Sequence, residues 1–157
     1  QEYIERKFGP GGGRKYDHVA AVGKSVGIDF AFDNISVQPN TVNAHRVMHY
    51  ATQQGREDAV ADSLFSAYFI EGADLTDLAA LADAGARGGL ERAALERYLA
   101  TDEDRDLVMQ QDVEIRQAGV GGVPFFIFNR KLAVSGAHEP ETLLKAMLEA
   151  TGAAKPA

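Results

Sequence analysis

A short aromatic run near the end of the chain constrains the fold most. Residues Pro124–Phe128 are apolar at successive positions, so an extended strand here would present apolar side chains on both faces. Asn129 and Arg130 predict a tight turn, and Lys131–Ser135 returns as a second strand. A lone hairpin is marginal in water. We therefore expect this hairpin to belong to a larger sheet that is covered on both sides.

The rest of the chain offers few further strands. Ile28–Phe32 alternates apolar with polar or small residues and is a weak third strand candidate. The remaining patterns are helical, with Thr76 and Thr101 as N-caps and Leu75 as a hydrophobic staple. Helices are predicted over Arg14–Val26, Thr41–Gln54, Glu57–Ile70, Thr76–Ala86, Glu91–Ala100, Thr101–Gly119 and Glu139–Ala150. The missing strands are expected from a strand–helix–strand unit outside this chain, or from a swapped neighbour.

Composition narrows the functional classes. The chain has 157 residues, and its net charge of −7 argues against a nucleic-acid partner. No apolar run reaches the roughly 20 residues of a membrane helix, so we expect no membrane partner. We expect a cytoplasmic location, with which the absence of cysteine is compatible. The chain opens on Gln1 and not on Met, so we expect its natural N-terminus to lie elsewhere. Zero cysteines exclude disulfides, thiolate metal sites and a cysteine nucleophile within this chain.

Two histidines have a spacing that can bind a metal ion. His45 and His49 lie four residues apart on one predicted helix, but no glutamate base and no third ligand accompany them. We therefore predict no metal site, and we expect His45 and Arg46 to anchor the helices through hydrogen bonds. The aromatic residues Phe65, Tyr68 and Phe69 recur at helical spacing and are predicted to lie in the core.

Two groups of motifs carry a family resemblance. The first is Gly122–Phe128 followed by Val134–Ala137, and the second is Asn40-Thr41 followed by Ala44–Arg46. In these motifs and in their order the chain resembles the DsbA-like thioredoxin-fold oxidoreductases, and most closely the branch called FrnE-like. The same fold occurs in 2-hydroxychromene-2-carboxylate isomerases and kappa-class glutathione transferases.

The resemblance implies an α/β fold, mostly helical in this chain. A helical domain is inserted into a thioredoxin fold whose first strand–helix–strand unit, with its Cys-x-x-Cys, is missing here. The implied domains are residues 1–13 as a linker or helix, 14–119 as the inserted helical domain, 120–151 as the C-terminal part of the thioredoxin fold, and 152–157 as a tail.

The resemblance also implies a substrate site at the start of the hairpin. In relatives a cis bond precedes the proline that corresponds to Pro124, and this proline lies beside the reactive cysteines. Val123 would then present its N–H and C=O to an extended peptide or to glutathione, with Gly122 beside it. His138 stands where FrnE-like relatives more often carry glutamine, and we interpret it as a residue that begins the last helix; the alternative is that it lies near the substrate. Asn40, Thr41, His45 and Arg46 would be structural, and no catalytic residue lies in this chain.

The function that this resemblance implies is thiol–disulfide oxidoreductase or isomerase activity on protein or small-molecule disulfides. One alternative is a glutathione-dependent isomerase or transferase, in which serine replaces the first cysteine. Another is a non-catalytic module that binds peptides at the edge of its sheet. We expect no cofactor, with glutathione as a possible substrate or co-substrate. A disulfide or thiol substrate and a homodimer through the incomplete sheet are the expected partners.

Overall fold

The computed structural model describes residues 13–153. These residues fall into two compact units that divide between Val108 and Met109. The linker and helix predicted for residues 1–13 lie almost entirely outside the described residues, as does most of the tail predicted for 152–157. The boundary between helical and thioredoxin domains that was predicted at residues 119 and 120 stays a prediction.

The first unit is built from helices and connecting turns. Its elements are α1 (Gly13–Ser25), a 3-10 turn (Phe32–Asn34), α2 (Val42–Thr52), α3 (Glu57–Phe65) with a π-helical turn (Ser66–Ile70), α4 (Leu78–Arg87) and α5 (Arg92–Leu99). Helix α6 (Arg105–Gln117) begins in this unit and continues into the second. None of the helices in the described part of the chain is long and apolar enough to cross a membrane.

The core of the first unit lies among α2, α3, α4 and α5. Each of these helices contributes one fully buried side chain to it. In chain order they are Val47, Val60, Leu81 and Leu95. Helix α4 packs against the other three. Burial of such aliphatic side chains contributes about 1.5–3 kcal/mol each relative to exposure, so this cluster is the main source of stability for the unit.

Two glycines of the α4 region allow the helices to approach closely. A Cβ atom on Gly85 would lie 2.3 Å from Cδ2 of Leu95 in α5. A Cβ atom on Gly88 would lie 2.6 Å from the Cα atom of Val60 and 2.8 Å from its backbone nitrogen, both in α3. The second contact involves backbone atoms, which cannot move aside as a side chain can.

The second unit contains the predicted hairpin. Strands β1 (Phe125–Phe128) and β2 (Leu132–Ser135) are antiparallel, and the register pairs Phe126 with Val134. Asn129 and Arg130 have φ of 50° and 55°, so both adopt the left-handed conformation of a tight hairpin turn. Helix α7 (Pro140–Thr151) packs on both strands. The hairpin and the last helix are therefore confirmed.

The two faces of the hairpin differ in burial. Phe126 and Phe128 are half-buried, and their parallel rings have centroids 6.2 Å apart. Ile127, which points to the opposite face, is 62% exposed. The sheet of the described residues has two strands, so both of its edges are unpaired. Burial is therefore less complete on the second face, where Phe125 is half-buried and Ile127 is exposed.

The strand predicted over Ile28–Phe32 is wrong. These residues form an irregular segment that leads into the 3-10 turn. The Ala31 N–H donates to the C=O of Phe69, and the rings of Phe30 and Phe32 stack at 4.9 Å. The alternating aromatic residues therefore pack against a helix end and have no partner strand.

The two threonine caps are also wrong. The N-cap of α4 is Asp77, whose carboxylate accepts the N–H of Ala79, whereas Thr76 donates to the carboxylate of Asp74. Thr101 does not begin α6, since its hydroxyl donates to the C=O of Tyr98 and closes the end of α5. Local hydrogen bonds to nearby acceptors occupy both hydroxyls.

We predict that Gly88→Ala lowers the free energy of unfolding by about 1–3 kcal/mol, because the new methyl group overlaps backbone atoms of Val60. Urea denaturation monitored by circular dichroism measures the change. Gly121→Ala is the matched control, since a Cβ atom there meets nothing within 4 Å. Equal stability of the two variants would contradict this packing.

Candidate functional site

The loop that precedes β1 contains the predicted site residues Gly122, Val123 and Pro124. The Val123–Pro124 bond is cis, the isomer that the resemblance implies. The side chain of Val123 is 89% exposed, and Gly122 and Pro124 are exposed as well. Within residues 13–153, the backbone N–H and C=O of Val123 have no hydrogen-bond partner. This loop can therefore offer one donor and one acceptor to a ligand.

Gly136 connects this loop to the end of β2. Its N–H donates to the C=O of Pro124 at 2.9 Å, and its φ of 95° favours glycine. His138 follows, with its Nε2 atom 3.0 Å from the C=O of Ser135. The structure thus brings His138 to the end of the hairpin that carries Pro124. His138 is exposed and lies two residues before α7 begins.

Asn40 and Thr41 lie where the chain enters α2. The Asn40 side chain accepts the N–H of Val42 at 3.0 Å, so it satisfies one of the free donors at the helix start. Thr41 contributes its backbone C=O, which accepts the N–H of His45 at 2.9 Å. Both residues therefore have a structural part in the first unit.

Arg46 is a buried charged side chain, 1% exposed, in the core of the first unit. Its guanidinium donates to three backbone carbonyls, those of Tyr98 at 3.0 Å, Thr101 at 2.7 Å and Glu103 at 2.8 Å. A fourth bond goes to the side chain of Asn43. Arg46 thereby joins α2 to the end of α5. His45 is exposed, and no side-chain hydrogen bond to it is present in the described range.

Tyr98 extends this network. Its hydroxyl donates to the carboxylate of Asp104 at 3.1 Å, and its ring lies 4.8 Å from the guanidinium carbon of Arg46. Burial, with Asp104 nearby, raises the pKa of Tyr98 to about 12. The His49 Nε2 atom lies 3.6 Å from the same carboxylate. Over the described residues, no three His, Cys, Asp or Glu side chains come together as metal ligands.

An apolar groove was missed by the sequence analysis. Its walls include Phe30, Phe32, Phe65 and Phe69 of the first unit. The prediction that Phe65 lies in the core is wrong, because its side chain is 63% exposed, while Tyr68 is partly buried and packs against the core. The signal was present in the spacing: the face of α3 that carries Phe65 is distinct from the face that carries the core residues.

Comparison with known proteins identifies the family. The model of the DsbA-like thioredoxin domain matches residues 15–148. The chain belongs to the DsbA-like thioredoxin domain family. Its fold is the thioredoxin-like DsbA fold, and it is mostly helical in this chain. Members of this DsbA-like family are generally oxidoreductases.

A solved structure supports the same assignment. The DsbA-like chain is similar to a probable DsbA oxidoreductase from Streptomyces coelicolor, with a TM-score of 0.83 and 25% sequence identity. The match covers 98% of this chain and 68% of that chain. No curated protein matches the sequence.

We predict that Arg46→Lys lowers the free energy of unfolding by about 2–4 kcal/mol. A lysine amine cannot reproduce the planar set of donors, so buried carbonyls lose their partners. His45→Ala is the control on the same helix, with an expected change within about 0.5 kcal/mol because its side chain is exposed. Chemical denaturation of both variants measures the difference, and similar losses would contradict an anchoring role specific to Arg46.

We predict that the folded chain loses stability at high pH through Tyr98. The folded pKa of about 12 lies above the ordinary value of 10.0. The contribution of the neutral phenol is therefore fully present below pH 10 and is lost as pH rises towards 12. Denaturation midpoints across this range, for the natural chain and for Tyr98→Phe, provide the measurement. An alkaline decline of the same size in Tyr98→Phe would exclude Tyr98 as its source.

Proposed function

We propose that this chain is part of a thiol–disulfide oxidoreductase or isomerase that acts on protein or small-molecule disulfides. The observation that carries the proposal is the family match over residues 15–148, together with the likeness to a probable DsbA oxidoreductase. Because the chain has zero cysteines, the reactive thiols of such an enzyme belong to a polypeptide segment outside it.

Thiol–disulfide exchange needs two reactive thiols, and the proposed segment outside this chain would supply both. A thiolate of one partner attacks a sulfur of the other partner's disulfide, so a mixed disulfide forms and one sulfur leaves as a thiolate. A second thiolate of the attacking partner then displaces the remaining sulfur. The attacking partner ends as the disulfide and the other as a dithiol. This chain contributes no sulfur to these steps, so its proposed part is to bind the substrate and to complete the fold.

The open hairpin is where that segment is proposed to join. Both edges of the two-stranded sheet are unpaired among the described residues, and Ile127 is 62% exposed on one of its faces. An exposed apolar strand edge favours pairing with another strand. A strand–helix–strand unit that carries Cys-x-x-Cys, as in the FrnE-like branch, would add strands and cover that face. A homodimer through the same edge is the other arrangement that such an edge favours.

The proposed substrate contact is the backbone of Val123. Its N–H and C=O lack partners within residues 13–153, and its side chain is 89% exposed. An extended peptide or the backbone of glutathione can bond to such a pair as an added strand does. Gly122 leaves room beside it, and His138 lies at the same end of the hairpin.

We predict that the chain alone does not reduce insulin, and that a parent polypeptide which joins it to a Cys-x-x-Cys segment does. Insulin turbidity with dithiothreitol measures the activity, and a Cys→Ser variant of the parent is the control. Parent activity no higher than this control would contradict the redox proposal. A serine at the first cysteine position with glutathione-dependent isomerase activity would favour the alternative enzyme. Peptide binding without any such segment would favour a non-catalytic module.

We predict that Val123→Pro in that parent lowers kcat/KM about five- to tenfold, because one hydrogen-bond donor to the substrate is lost. Val123→Ala keeps the N–H and should change kcat/KM less than about twofold. Insulin reduction at several substrate concentrations measures both variants. Equal losses would mean that the side chain, and not the backbone, contacts the substrate.

A further inference from the structure

A groove in the first unit is large enough for a small molecule. It lies between α1, residues 27–32 and the end of α3, and it has a volume of about 890 Å³. Small-molecule sites commonly measure about 300–1,000 Å³ and are mostly apolar. All of its lining residues belong to the unit that ends at Val108.

Aromatic rings form the walls of this groove. Phe69 lies between two groups of rings, with centroids 6.0 Å from Phe30 and 6.2 Å from Phe32 on one side. On the other side, the ring of Phe65 stacks on Phe69 at 6.0 Å. Phe65 remains 63% exposed. An aromatic side chain of this size gains free energy when a ligand covers it.

Close approaches of the backbone fix the positions of Phe30 and Phe69 in the walls of the groove. A Cβ atom on Gly23 of α1 would lie 2.4 Å from the Phe30 ring, so glycine lets this ring lie against the helix. The hydrogen bond from the Ala31 N–H to the Phe69 C=O, 2.8 Å long, joins the two sides. The floor of the groove is therefore formed before a ligand arrives, which lowers the entropy cost of binding.

Helix α3 has a second face that serves this groove. Val60 and Leu64 point into the core. Asp62 and Phe65 of α3, and Phe69 of the π-helical turn after it, lie on another side, since all three line the groove. The helix thus buries one apolar face in the core, while the apolar surface of Phe65 stays exposed on the side that carries the Asp62 carboxylate.

The negative charge at the groove favours cationic ligands over neutral or anionic ones. Asp29 and Asp62 both line it and both are exposed. In the part of the chain that the structure describes, neither carboxylate has a hydrogen bond or an ion pair, whereas Asp83 pairs with Arg92. Two carboxylates without a cationic partner beside aromatic faces favour a positive charge, and the rings add cation–π attraction.

We propose that this groove binds a small organic cation with an aromatic or apolar body. The carboxylates of Asp29 and Asp62 attract the positive group, and the phenylalanine rings cover the apolar body. This binding needs no thiol and goes beyond the proposed redox function, so the 157-residue chain itself should show it.

Three ligands with one apolar body and different charges test the proposal. Phenylbutylamine, phenylbutanol and phenylbutyrate are titrated into the labelled chain, and amide chemical shifts give the affinities by NMR. We expect the amine to bind about fivefold or more tightly than the alcohol, and the carboxylate to bind weakest. The shifts should concentrate in residues 27–32 and 62–70. Shifts centred elsewhere, or equal affinities for amine and carboxylate, would overturn the proposal.

Variants separate the charge from the apolar wall. Asp29→Asn combined with Asp62→Asn should lower the affinity for the amine to that for the alcohol, and leave the affinity for the alcohol unchanged. Asp58→Asn is the matched control, because Asp58 lies one turn earlier on α3 and does not line the groove. Phe65→Ala should weaken all three ligands, and its high exposure limits the risk to folding.

Each variant result decides for or against the site. A loss of amine affinity in Asp58→Asn as large as in the double variant would mean a general charge effect and would overturn the site. Unchanged affinities of all three ligands for Phe65→Ala would mean that the phenylalanine wall does not contact them, and would also overturn the site. The spread of amide shifts in each variant without ligand checks that the fold is retained.

Discussion

The guanidinium of Arg46 is the interaction on which the helical unit most depends. A buried charge is costly unless hydrogen bonds replace its hydration. Here three backbone carbonyls from the end of α5 and the turn after it accept its protons, and the Asn43 side chain accepts another. The Tyr98 carbonyl also accepts the N–H and the hydroxyl of Thr101, whereas the carbonyls of Thr101 and Glu103 have no other partner among the described residues. One side chain therefore binds the turn after α5 and fixes the position of α2 against it.

The second unit is organised differently, since its hairpin leaves apolar surface open. Helix α7 packs on both strands, and Phe126 and Phe128 on one face are half-buried, while Ile127 on the other face is 62% exposed. A two-stranded sheet with one covered face is at the lower limit of stability in water. The proposed strand–helix–strand unit outside this chain would give a reason for this surface.

The success of the sequence analysis depended on how local the determining interactions are. The hairpin and its turn were predictable because the apolar run and Asn129-Arg130 specify strand and turn chemistry within a few residues. The helices were predictable from periodicity. The failures involve contacts between distant segments: Phe30 and Phe32 alternate as in a strand, yet they pack on Phe69. The site loop came from the family motif, and the groove had no local signal apart from the spacing on α3.

The polar groups around Arg46 differ from those at the two proposed binding sites in whether they have partners. Around Arg46 the donors have acceptors, and even the Tyr98 hydroxyl is hydrogen-bonded to a carboxylate. At the Val123 backbone and at the groove carboxylates, polar groups lack partners among the described residues and lie beside exposed apolar surface. Water hydrates these exposed groups in the free protein. A ligand that replaces this water with polar or charged groups of its own, and covers the apolar surface beside them, would gain free energy chiefly from the burial of that surface. Both proposals rest on this combination of polar groups and apolar surface.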